Sequence, residues 1–265
     1  MRAGVAPERS GAVVTPPVRR WSLLGAALVC LLTFLPPLSS LAHRYELGQV
    51  LRYGLWAMVV PTLVVVGAPW RHAAWAATLA QRRRRYSELW RSVGFVLLYG
   101  LVMVWWFTPM SVRATWSHPW LRVIEAVTLI AGGIGLWLEL AESPPLAPRV
   151  GGLRSVVLGT AAMWLVWIEA YLVAMSQSGW YPNFHHVAGQ GLSQAADQQV
   201  AAVILWFMAT VVFVPVIFMD AMQWLHGEQN PDDELRRLLR EQRRGATAII
   251  ERRAAERPGD GAVGA

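Results

Sequence analysis

Asp197-Gln198-Gln199 is the triplet with the clearest capacity for chemistry in this chain. It stands at the mouth of an apolar run that ends near Met219. A carboxylate there is costly unless it faces a protein interior or a water-filled cavity, so it marks a candidate site. Other polar residues join it by their spacing. Gln49, Arg52, Tyr53 and Trp56 stand at i, i+3, i+4 and i+7, which is one face of a helix. Arg122 and Glu125 are three apart and able to pair. Glu169 lies about eight residues inside its apolar run, roughly 12 Å deep at the rise of a helix.

Arg52, Tyr53, Arg122, Glu125, Glu169, Asp197 and Gln198 therefore form a candidate polar cluster. Facing lipid, each charge would be expensive, so mutual pairing inside a bundle is the economical arrangement. Two readings stay open: an ion network that locks helices together, or a site for an ion, a cofactor or a partner side chain. A second set is softer. His43, His118, His185 and His186, with Met110 and Met175, fall toward the same side, and imidazole with thioether suits copper. No two of them stand at a helical metal spacing. Loop histidines and core methionines account for them without any metal.

The elements that must position these groups are apolar helices. The chain has 265 residues, 55% hydrophobic and 15% charged. Segments of about 20 apolar residues are long enough to cross a roughly 30 Å hydrocarbon core. Six occur, near 21–42, 47–69, 91–110, 119–141, 154–177 and 197–225. The expected fold is an all-α, polytopic transmembrane bundle at 21–226. It is flanked by a disordered cytosolic segment, 1–20, and a charged helical tail, 227–265.

Charge placement sets the orientation. The 24 basic residues are all Arg. Four precede the first span, six lie between the second and third, two between the fourth and fifth, and eight follow the sixth. Only Arg44, Arg52, Arg113 and Arg122 remain for the other side. The positive-inside rule then places both termini in the cytoplasm, and spans two, four and six begin at the outer face. The net charge of +7 thus reads as topology and contact with the lipid bilayer, not as nucleic-acid binding. Arg19-Arg20, the apolar stretch and Ser40-Leu41-Ala42 also fit a cleavable signal peptide. The tail opens with Asn230-Pro231-Asp232-Asp233-Glu234, a strong helix start. With Cys30 as the only cysteine, disulfides within the chain and zinc ribbons are excluded. No nucleophile–base pair and no phosphate loop is visible, so the chain reads as a non-enzyme.

From about Leu35 to Leu225 the sequence resembles the CtaG-type cytochrome c oxidase assembly factors of bacteria. The resemblance is carried by Val60-Pro61 with Val66-Gly67-Ala68-Pro69, by His118-Pro119 leading to Ile124-Glu125, and by Asp197-Gln198-Gln199 with Leu205-Trp206. It implies a multi-pass protein of the bacterial cell membrane that assembles haem-copper oxidase, with a role in copper supply. Its expected partners are oxidase subunits or other assembly factors. Glu125, Asp197 and Gln198 carry over residue by residue. The family's usual histidine pairs fall at positions 49 and 53, and at 122 and 126, where this chain has Gln49, Tyr53, Arg122 and Ala126. The rival reading is a small proton- or substrate-coupled transporter using the buried Arg and carboxylate groups. Inverted repeats would favour it, and none is visible.

Overall fold

The computed structural model describes residues 16–84, 87–147, 152–176, 179–181, 183–184 and 193–228. Every regular element among them is helical, and six helices are long and apolar enough to cross a membrane. These spans are Pro17–Phe34, Glu46–Arg71, Glu88–Trp106, Leu121–Leu140, Leu153–Met175 and Gln194–Leu225. They fall on the six expected segments, and the chain is a multi-pass membrane protein.

Prolines decide where the spans break. Helix α1 (Pro16–Phe34) stops before Pro36-Pro37, and the remainder of the first expected span is a separate helix, α2 (Leu38–Arg44). Pro has no N–H to continue a ladder, so paired prolines end it. At the other end α1 begins at Pro16, so residues 16–20 are helical where disorder was expected; Pro is well suited to a first helical turn. The rest of that segment, 1–15, and the tail helix expected from Asn230 lie outside the described residues.

The second span is composite. Helix α3 (Glu46–Gly54) passes through a π-helical turn (Leu55–Val59) into α4 (Val60–Gly67). Pro61 cannot donate to the carbonyl of Ala57, four residues back, and the helix widens there. That carbonyl is approached by Gly133 of α8 (Leu121–Leu140) so closely that a Cβ at Gly133 would stand 2.5 Å from its oxygen. Only glycine allows the contact. Helix α4 closes at Ala68, which takes the left-handed conformation with φ of 46°. The 3₁₀ turn Pro69–His72 and helix α5 (Ala74–Arg84) follow.

Helix α6 (Glu88–Trp106) leads through Thr108 into α7 (Pro109–Ser117). Sequence marked 111–118 only as a connection. Thr108 accepts the Ser111 N–H as an N-cap, and Pro109 takes the first helical position, so this connection is itself a helix. Helix α9 (Gly152–Met175) and α10 (Gln194–Glu228) complete the order. Helix α8 is the hub, packing on α4, α6, α7, α9 and the π turn. Accordingly the most apolar stretches of the second and fourth spans are 61% and 56% buried, against 11% for that of the first. The core includes Trp56, Trp137 and Leu205, and Trp137 stacks on Phe213 at 5.5 Å. The compact unit closes at Asp220.

Candidate functional site

Two residues of the Asp197 motif staple three helices by their ends. Asp197 is fully buried in the first turn of α10. Its Oδ2 accepts the Glu46 N–H at 2.6 Å and its Oδ1 the Leu47 N–H at 3.3 Å. These are the first amides of α3, whose own N-cap, Tyr45, supplies no side-chain acceptor. Such amides have no partner within the helix, and a carboxylate there also meets the positive end of the helix dipole. Gln198, equally buried, serves the opposite kind of end. Its Nε2 donates to the carbonyls of Val173 (2.8 Å) and Ser176 (3.3 Å) where α9 finishes, while its Oε1 accepts the Trp180 N–H at 2.9 Å. The chemistry of this motif is capping in trans.

The polar face expected here is real: Gln49, Arg52 and Tyr53 of α3 and Trp56 of the π turn are all buried. Direct guanidinium–carboxylate pairing was expected here, and the structure arranges these groups otherwise. Gln49 is the intermediary: its Oε1 accepts from Arg52 at 2.6 Å and its Nε2 donates to Glu125 Oε1 at 3.3 Å. Arg52 also lies over the Trp56 ring, 5.0 Å from its centroid. Arg122 turns to His43, whose Nε2 accepts from it at 2.5 Å. Burial, then the nearby Arg122 and Arg52, hold the His43 imidazole below its usual range, so it stays neutral and able to accept. Tyr53 donates to the Met103 carbonyl, and Tyr181 to that of Phe107 at 2.7 Å. Glu125 Oε2 and Glu169 Oε1 are buried without a protein partner. The same holds for both carboxylate oxygens of Glu46, a residue 1% exposed. Sequence reasoning passed over Glu46. Its signal was present, since it stands three residues before Gln49 on the same helical face.

The other end of the bundle holds a second cluster that spacing did not mark. Glu139 of α8 is fully buried. Arg91 reaches it with Nε at 2.8 Å and a second nitrogen at 3.1 Å, Ser92 donates at 2.6 Å, and Arg83 of α5 pairs with it as well. Arg154 of α9 stands 3.8 Å away and bonds Glu88 at 2.7 Å. Burial pulls the Arg83 guanidinium down from its usual range, and Glu139 opposes that shift. One carboxylate thus gathers guanidiniums from α5, α6 and α9 around α8.

Residues 2–227 match the family model of the cytochrome c oxidase caa3 assembly factors, Caa3_CtaG. The chain belongs to this family. Neither a curated protein nor a solved structure gives a match.

In this CtaG-family member the four positions matching the usual histidines do not fit copper. Gln49 is engaged on both ends of its amide, Tyr53 bonds backbone, Arg122 is a cation, and Ala126 is a buried methyl group. Cu(I) takes thiolate, thioether and imidazole ligands, and this set offers none. Of the softer candidates, His43 is tied to Arg122 and rests edge-on against Trp116, and His118 lies beside Trp120. Met110 and Met175 are 67% and 62% exposed. His185 and His186 lie outside the described residues. Among the described residues no three His, Cys, Asp or Glu side chains are grouped to hold a metal.

Proposed function

We propose that this protein serves haem-copper oxidase assembly by holding an oxidase subunit or another assembly factor, without catalysis and without copper at positions 49, 53, 122 and 126. The supporting observation is the contrast within one site. Asp197 and Gln198, the family's most specific residues, make complete sets of hydrogen bonds, whereas the ligand positions carry groups that do not bind Cu(I). A kept scaffold with altered ligands fits a binding partner better than a metal carrier. The membrane is the bacterial cytoplasmic one, both termini are cytosolic, and the Asp197 end faces outward.

The orientation is checked by labelling on a Cys30→Ser background. Ser117, exposed at the end of α7, and Gln81, exposed on α5, are replaced by cysteine in turn. Ser117→Cys is expected to react with an impermeant thiol reagent in intact cells, and Gln81→Cys only after permeabilisation. The reverse pattern inverts the bundle and removes the outer-face assignment.

The role itself is checked by deletion. Oxidase activity in membranes is expected to fall, added copper to restore little of it, and oxidase subunits to co-purify with the protein. Changing His43, His118, His185 and His186 together is expected to leave most of the activity intact, while changing Asp197 is not. Stoichiometric copper in the purified protein, lost in that four-histidine variant, would establish metal handling at a relocated outer-face site instead. The buried, partnerless oxygens of Glu46, Glu125 and Glu169 favour a second reading, a proton- or substrate-coupled transporter. Oxidase content and activity untouched by deletion would leave that reading and end the first.

A further inference from the structure

A small cavity of about 10 Å³ lies against α3, and its walls include Glu46, Gln49, Tyr53, Phe107, Tyr181 and Phe184. That is close to the space one water-sized particle needs. Its polar groups have a common bias. Tyr53 and Tyr181 commit their hydroxyl protons to the carbonyls of Met103 and Phe107, so each phenol oxygen has only lone pairs left to offer. Burial, then the nearby Glu46 and Glu169 carboxylates, push the Tyr181 phenol above its usual range, which keeps that proton in place. Glu46 contributes two more acceptors, neither with a protein partner.

Charge points the same way. This end of the bundle buries Glu46, Glu125, Glu169 and Asp197. Arg44 and Arg113 at this end are exposed; the guanidiniums that enter the bundle are Arg52, turned to Gln49 and Trp56, and Arg122, turned to His43. Among the described residues neither forms an ion pair with a carboxylate. A buried carboxylate facing neutral acceptors is costly unless a proton neutralises it or a positive charge stands beside it, and at alkaline pH the second route is the one left.

We propose that Glu46, with the phenol oxygens of Tyr53 and Tyr181, forms a site for one small, hard, monovalent cation of the Na⁺ type. The donors are all oxygen, which excludes Cu(I). One carboxylate is too little charge for a Ca²⁺ cage, which draws on six to eight oxygens. The ion ties the first turn of α3, already capped by Asp197, to the Tyr181 segment that follows α9. The site is independent of the assembly reading, and its test reads no oxidase activity.

The full-length protein is melted in detergent at fixed alkaline pH and constant ionic strength, with NaCl replacing choline chloride stepwise. The melting temperature is expected to rise and saturate with Na⁺, and Glu46→Gln to abolish the response. Tyr181→Phe removes one ligand oxygen while keeping the ring, and is expected to raise the half-saturating Na⁺ about tenfold. It serves as the readout if Glu46→Gln does not fold. A wild-type melting temperature indifferent to Na⁺ overturns the proposal and leaves water in the cavity. An unchanged Na⁺ response in Glu46→Gln, or in Tyr181→Phe when the first variant fails to fold, overturns it equally.

Discussion

Glu139→Ala is expected to destabilise the bundle more than any other single change in its polar clusters, by about 3 kcal/mol. Removing one partner of a buried ion pair typically costs about 3–5 kcal/mol, because the other charge is left without compensation. The lower figure applies because the Arg83, Arg91 and Arg154 side chains keep 12%, 16% and 22% of their surface and can turn toward water. What they cannot do is stay together, since Glu139 is the anion that holds them around α8. Thermal unfolding in detergent is the measurement, with Leu101→Ala, at a 67% exposed position, as the control. Glu139→Gln should fall between, since its carbonyl still accepts from Ser92 and Arg91. Combining Glu139→Ala with Arg91→Ala should cost less than the sum of the two. A Glu139→Ala variant that melts with the Leu101→Ala control would show that the cluster is a solvated surface feature.

Asp197→Ala should cost about 2–3 kcal/mol, combining a lost helix cap with two lost hydrogen bonds to a charged group. Asp197→Asn distinguishes capping from ion pairing. An amide oxygen still accepts from one of the two amides, that of Glu46, while the NH2 group cannot accept from Leu47, so part of the stability should return. If Asp197 acted through its charge on an arginine, asparagine would be as damaging as alanine. Hydrogen exchange gives the local readout, and the amides of Glu46 and Leu47 should lose protection first in the alanine variant. Equal losses in both variants would defeat the capping account.

Several features were legible from residue order because their causes are local. Span length follows from apolar run length, and all six spans appear where the runs are. The buried face at the start of the second span follows from the 3.6-residue period, and Gln49, Arg52 and Tyr53 of α3, with Trp56 of the π turn, are all buried. Asp197 stood out because an acid in an apolar run must be housed by the protein. Family membership was also readable, since Glu125, Asp197 and Gln198 stand in order along most of the chain. The helix breaks were only half legible. Pro36-Pro37 announces a stop, and Pro61 announces a fault in the ladder, but that Gly133 of α8 packs against the Ala57 carbonyl beside the π turn is a fact of tertiary packing.

Partner choice was not legible, and the reason is physical. A carboxylate in a bundle can be satisfied by a guanidinium, an amide side chain or the exposed N–H groups of a helix end. Sequence lists the candidates without their distances. Asp197 took the start of α3, Arg122 took His43, and Gln49 came between Arg52 and Glu125. Glu139 escaped notice because the arginines it gathers are up to 56 positions away in sequence, on helices that meet only by packing. Glu46 escaped because its place at a span's start allowed it to face water. Sequence by itself determined the membrane-spanning fold, the family and the burial of Asp197 and of the Gln49, Arg52 and Tyr53 face. It did not determine the burial of Glu46 or Glu139, nor the exposure of Met110 and Met175, which it read as core residues. Which buried group answers which was decided by tertiary structure, because only packed helices bring donors and acceptors within hydrogen-bonding range.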